Sequence, residues 1–191
     1  MRQQQGRLQV IAGPMFSGKS EELLRRVRRA KVAGLHMEVI SHALDVRKGA
    51  GIVSTHAGLS IESRTATDVG HIWEVAGNRS LDLLAIDEAQ FFGPELVPTV
   101  SRLLAEGTTV LLAGLCVRFD GEPFDPVPGL MALAEDVSKL TAVCSRCGAG
   151  AVFHQRSVPS VVDDAGAVTA ELVGGAESYQ ALCRRHFHPQ P

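Results

Sequence analysis

Gly13-Pro14-Met15-Phe16-Ser17-Gly18-Lys19-Ser20 fits the pattern G-x-x-x-x-G-K-[ST], and its flanks decide the fold. Before it, Leu8-Gln9-Val10-Ile11-Ala12 is a short apolar run of strand character. After it, Leu23, Leu24 and Val27 recur at helical spacing among Arg25, Arg26, Arg28 and Arg29, with Gly34 placed to end the helix. A glycine-rich turn between a strand and a helix lets backbone N–H groups wrap a phosphate, and the helix dipole adds positive potential there. The pattern therefore assigns residues Gly13, Pro14, Met15, Phe16, Ser17, Gly18, Lys19 and Ser20 to the phosphates of a bound nucleotide. Lys19 is expected to bridge the β- and γ-phosphates, and the Ser20 hydroxyl to take a position on Mg2+.

Outward from this loop the same alternation continues. Met37 to Ile40 reads as a strand, and Asp68 to Ala76 as a short helix with Asp68 as its N-cap. Leu81 to Ile86 is almost continuously apolar, as suits a strand covered on both faces. Pro94 opens a helix through Ala105, and Thr108 to Ala113 is a further buried strand. Lys139 to Val143 is expected to be the last strand. The reading is α/β: a P-loop (RecA-like), doubly wound, mainly parallel sheet. Beyond Cys144 helical periodicity disappears and glycines multiply, and Val161 to Gly166 reads as a turn or loop. The boundary is placed at 143, giving a core of 1–143 and a small domain of 144–191.

Asp87-Glu88-Ala89-Gln90 follows the buried strand Leu81–Ile86. In an open α/β sheet the carboxyl ends of the strands form the ligand crevice, so these residues are expected to face the phosphate loop and to join the nucleotide site. Asp87 is the natural partner of magnesium, which leaves Glu88 to act as a general base on a substrate hydroxyl. Asp-Glu-Ala-Gln is also similar to the hydrolysis motif of DEAD-type helicases. A helicase core needs two sheet domains, and 191 residues leave room for one.

Cys144-Ser145-Arg146-Cys147 and Cys183-Arg184-Arg185-His186 give a C-x-x-C and a C-x-x-H, a ligand set for tetrahedral structural Zn2+. His188 is an alternative fourth ligand. The tail has too few large apolar residues for a core of its own, and metal binding would replace one. Three cysteines in metal-like spacings point to a reducing compartment, and the polar start Met1-Arg2-Gln3-Gln4-Gln5 does not resemble a signal peptide. Cytoplasm is the expectation. A net charge of −2 offers no general attraction to nucleic acid or to an anionic membrane, so neither is expected as a partner.

Four stretches carry a resemblance: Gly13 to Ser20; Ile86-Asp87-Glu88-Ala89-Gln90-Phe91-Phe92; Leu140-Thr141-Ala142-Val143-Cys144; and Gly174-Gly175-Ala176-Glu177-Ser178-Tyr179. In this order, over about residues 8 to 187, they resemble the cytosolic (type II) thymidine kinases. The resemblance implies transfer of the ATP γ-phosphate to the 5′-hydroxyl of thymidine, with Glu88 as base and a homotetrameric assembly. It also implies a loop, the lasso, running from about Arg156 to Tyr179 over the substrate and anchored on the zinc domain. Met15, Phe91, Leu115, Phe119 and Phe124 match positions lining the pocket, Tyr179 matches the lasso tyrosine, and backbone near Leu172 to Gly174 would read the thymine edge. A pyrimidine needs flat apolar walls, and in a chain with only 5% aromatics Phe91, Phe92, Phe119 and Phe124 fall beside strand ends on the loop side.

The chain departs from the family at Leu115-Cys116-Val117-Arg118-Phe119-Asp120, where Cys116 replaces an aspartate. His154 stands where threonine is usual beside the base, and Asp45 and Arg47 are kept without the preceding lysine. Two rival readings remain: a zinc-ribbon, nucleic-acid-dependent P-loop ATPase, and a nucleoside kinase for another base.

Overall fold

In the computed structural model of the chain, the described residues are 5–44, 52–54, 60–77, 80–157 and 179–189. Six parallel strands form the main sheet: β1 (Leu8–Gly13), β2 (Met37–His42), β5 (Arg64–Ala66), β6 (Leu83–Asp87), β7 (Thr109–Leu115) and β8 (Asp136–Lys139), in the order β5-β2-β6-β7-β1-β8. A small antiparallel pair, β3 (Ile52–Ser54) and β4 (Ser60–Glu62), stands apart from it. The strands are apolar on both faces because helices cover both. Leu8, Val10, Ile40, Leu84, Ile86, Val110 and Leu112 point to one side, where α2 (Val69–Ala76), α3 (Leu96–Ala105) and α4 (Val127–Leu133) contribute Ile72, Leu96, Val100, Leu103, Val127 and Leu130. The alternate residues Ile11, Val39, Leu83, Ala85, Leu111 and Ala113 point to the other, against Leu23, Leu24 and Val27 of α1 (Lys19–Val32). That period of two across a doubly covered sheet is the expected α/β architecture.

Local chemistry fixes the element ends. Asp68 caps α2 by accepting from the His71 N–H. Gly34, at φ 75°, closes α1: its N–H donates to Lys31 O and that of Leu35 to Ala30 O, the paired bonds of a Schellman turn. One expectation needs correction. The last strand of the main sheet is Asp136–Lys139, not Lys139–Val143; Ala142–Val143 is a separate strand, β9, paired antiparallel with β10 (Gly150–Ala151). Arg26 braces this edge. Its guanidinium bonds Glu22, Gln9, Asp136 and Ser138 at 2.7 to 2.9 Å, tying α1 to the β1–β8 edge. After β9 the chain forms a second antiparallel ribbon, β11 (Phe153–Arg156) with β12 (Tyr179–Leu182). Among the described residues no helix is long and apolar enough to cross a membrane.

Candidate active site

The phosphate loop runs from the end of β1 into α1. Phe16 (φ 65°) and Gly18 (φ 80°) both take the left-handed conformation, which turns the chain tightly before the helix. A Cβ on Gly13 would stand 2.6 Å from Ser17 Oγ and 2.8 Å from Leu140 O, so only glycine fits that approach. Ser17 Oγ and Lys19 Nζ both donate to Pro14 O, at 2.9 and 2.8 Å, which holds the ammonium over the loop. No side chain caps α1, whose first-turn N–H groups therefore point along the axis toward the loop.

Beside the loop lies the carboxyl end of β6. Ser20 Oγ donates to Asp87 Oδ2 at 3.0 Å, and the Glu88 N–H donates to Asp87 Oδ1 at 3.0 Å. Glu88 is buried and left-handed at φ 53°. Ala89, Gln90, Phe91 and Phe92 form a 3-10 turn behind it. Gln90 donates its amide N–H to Glu88 Oε2 and accepts the Leu115 N–H at 2.9 Å.

A compact apolar cluster faces these groups: Met15, Leu115, Phe124 and Tyr179, with Phe119 against it. It joins the loop, the end of β7 and the start of β12, residues far apart in sequence. Arg156 places its guanidinium 4.5 Å from the Phe119 ring centre, and the His154 ring meets Tyr179 edge-on at 5.8 Å. His154 and Arg156 share one face of β11 with their cross-strand neighbours Ala181 and Tyr179, so this face of the ribbon looks onto the cluster. Burial holds His154 neutral, with a pKa of about 3; the Lys19 charge adds to the effect and Asp120 opposes it. Its Nδ1 is the buried side-chain polar atom that lacks a hydrogen-bond partner among the described residues. Phe91, also buried, lies 5.6 Å from the His42 ring. Cys116 is half-buried at the end of β7 and accepts the Phe124 N–H through its carbonyl. Asp45, Arg47, Leu172 and Gly174, and the span from 158 to 178, lie outside the described residues.

His42 has no local sequence signal beyond its place at a parallel strand's carboxyl end. Buried, it accepts the Leu44 N–H at Nδ1 (3.1 Å), its Nε2 meets Thr67 O (3.1 Å), and its ring stands edge-on to Phe92 at 4.6 Å.

The metal set converges. The ligand atoms of Cys144, Cys147, Cys183 and His186 lie within 4.8 Å of one another. Cys147 Sγ is 3.7 Å from Cys183 Sγ, and His186 Nδ1 is 3.6 and 3.5 Å from the Sγ atoms of Cys144 and Cys183. Ligands at Zn–S and Zn–N bond lengths around a tetrahedral ion stand about 3.6–3.8 Å apart, so the four residues fit zinc. His186 is the fourth member. His188 instead accepts from Gln155 Nε2 at its carbonyl (2.7 Å).

The family described as "Thymidine kinase" matches residues 6–187. Thymidine kinase of Deinococcus deserti is 46% identical over 193 residues, spanning 95% of this chain and 94% of that protein. Thymidine kinase of Halobacterium salinarum is 43% identical over 186 residues, spanning 94% and 92%. Among solved structures, domain III of the Thermotoga maritima replication initiation protein DnaA aligns at a TM-score of 0.40 and 16% identity, over 71% of this chain and 55% of that one.

Proposed function

Because the chain belongs to the thymidine kinase family, we propose that it transfers the γ-phosphate of ATP to the 5′-hydroxyl of thymidine, giving thymidine monophosphate and ADP. The observation that carries this reading is the meeting of three groups at one sheet end: the Lys19–Ser20 loop, the Asp87–Glu88 pair and the Met15–Leu115–Phe124–Tyr179 cluster. Backbone N–H groups of the loop would hold the phosphates, with Lys19 across the β- and γ-oxygens. Ser20 and Asp87 present adjacent oxygens that would hold Mg2+. When bound there, the ion neutralises charge on the phosphate oxygens. Glu88 takes the 5′-hydroxyl proton as the sugar oxygen bonds to the γ-phosphorus and the bond to the β–γ bridging oxygen breaks, releasing ADP.

The thymidine pocket comprises Met15, Phe91, Leu115, Phe119, Phe124, His154 and Tyr179, completed by Asp45, Arg47, Leu172 and Gly174. Residues 1–143 then serve as the kinase core, and 144–191 as the zinc domain carrying the lasso. The enzyme works in the cytoplasm as a homotetramer, without nucleic acid. The test is ADP release from magnesium ATP with each nucleoside in turn, with DNA or RNA, and with no acceptor. Turnover that requires thymidine supports the reading; preference for another nucleoside changes the substrate. Turnover without an acceptor, or only with nucleic acid, replaces the kinase by an ATPase.

A further inference from the structure

We infer that Gln90 is the positioning residue for Glu88, fixing where its carboxylate stands; this rests on the reading of Glu88 as the base. The motif alone suggests an ATP contact for Gln90, but the side chain has a different setting. It is 1% exposed, and both ends of its amide are engaged by protein: Nε2 donates to Glu88 Oε2, and Oε1 accepts the Leu115 N–H at 2.9 Å. The slot it occupies is narrow. A Cβ on Gly114 would approach Gln90 Oε1 to 3.0 Å and Val127 Cγ2 to 2.8 Å, so the glycine before Leu115 leaves the space the amide fills.

The backbone of Glu88 is left-handed at φ 53°, a conformation a side chain of its type seldom adopts unless its surroundings hold it. Two bonds do so from opposite sides. The Glu88 N–H is tied to Asp87 Oδ1, and the Glu88 carboxylate is tied through Gln90 to the last residue of β7. Leu115 also belongs to the apolar cluster, so the amide fixes the distance between the base and one wall of the pocket. A glutamine suits this task because it carries a donor and an acceptor on one rigid group and does not titrate.

Two variants separate the halves of the clamp. Gln90→Met keeps most of the volume and removes both bonds. Gln90→Glu keeps an acceptor for the Leu115 N–H, removes the donor and sets a like charge beside Glu88. Turnover and KM for ATP and thymidine are measured at pH 7, with the wild type, Glu88→Gln and the double variant Glu88→Gln/Gln90→Met alongside and a thermal melt of each protein. Both Gln90 variants are expected to lose about tenfold or more in kcat at pH 7, with KM for ATP unchanged within about threefold. Added to Glu88→Gln, the change Gln90→Met is expected to cost little further kcat, because a positioning residue acts only through the base. If Gln90→Met fails to fold, the kcat of Gln90→Glu decides the matter. A retained kcat, or losses that simply multiply in the double variant, overturns the proposal, and a raised KM for ATP with kcat retained returns Gln90 to the nucleotide. If Glu88→Gln keeps wild-type turnover, the base reading itself fails; if it is inactive while the Gln90 variants keep wild-type kcat, only the positioning role fails.

Discussion

The Ser20 hydroxyl and the Asp87 carboxylate are joined by a 3.0 Å hydrogen bond across 67 positions of sequence. It links the first turn of α1 to the end of β6, and it sets two oxygens side by side where the nucleotide phosphates would lie. Ser20→Ala removes one of them. The magnesium concentration giving half-maximal ADP release should rise by about tenfold, while KM for thymidine stays unchanged. A magnesium titration that superposes on wild type would exclude Ser20 from the ion.

Glu88→Gln keeps the shape of the side chain and removes its basicity. ATP should bind as before, and transfer to thymidine should fall by about 10²–10⁴-fold, the range for loss of a general base. Nucleotide binding by calorimetry and single-turnover transfer give the two halves. Near-normal transfer would take the proton away from Glu88.

His154 makes a prediction about pH. Its pKa is near 3 in the folded chain, chiefly through burial, against an ordinary value of 6.5. The unfolded chain therefore binds the proton more readily, and stability falls with falling pH. The contribution is complete above pH 6.5 and is lost progressively down to about pH 3, on the order of 4–5 kcal/mol in all. Urea midpoints at pH 7 and pH 5 should thus differ more for wild type than for His154→Leu. Equal differences would mean that His154 is not held neutral by its surroundings.

The central elements were legible because their signals are local and repeat. Leu8–Ala12 and Leu81–Ile86 are apolar runs broken only by Gln9 and Asp82, and the spacing of Leu23, Leu24 and Val27 needs no distant partner. The sheet's last strand was not legible. Asp136-Val137-Ser138-Lys139 is a polar edge strand held by Arg26, whereas Leu140 to Val143 has the apolar look of a strand, yet only Ala142–Val143 forms one, in another ribbon. The strands β3, β4 and β5 are three residues each, too short for a period to show. The helix α4 contains Pro128 and Gly129, which argue against a helix in sequence. In the site, motif spacing marks Lys19, Ser20, Asp87 and the metal ligands. The partner of Gln90 is a backbone N–H, which leaves no trace in a sequence, and the influence of Lys19 on His154 exists only after folding.

Removing one metal ligand should undo the small domain before the sheet. Cys144→Ser is expected to lose bound zinc and to lower the melting temperature by at least about 5 °C, because the small domain's apolar cluster includes the metal-site cysteines Cys144 and Cys183 themselves. Built on Leu182, Phe187 and Phe153, that cluster is not as bare as its sequence suggests. Zinc content by atomic absorption and a thermal melt check it together. Full metal content with an unchanged melt would remove Cys144 from the site.

The strand β12 carries Tyr179 at one end, within the apolar cluster, and is followed directly by Cys183 at the metal. Four residue steps of extended chain span about 13 Å, so the two are joined by one short, stiff strut. A displacement at the cysteine is handed to the tyrosine with little slack to absorb it. Loss of zinc would then be felt as a poorer fit of the nucleoside.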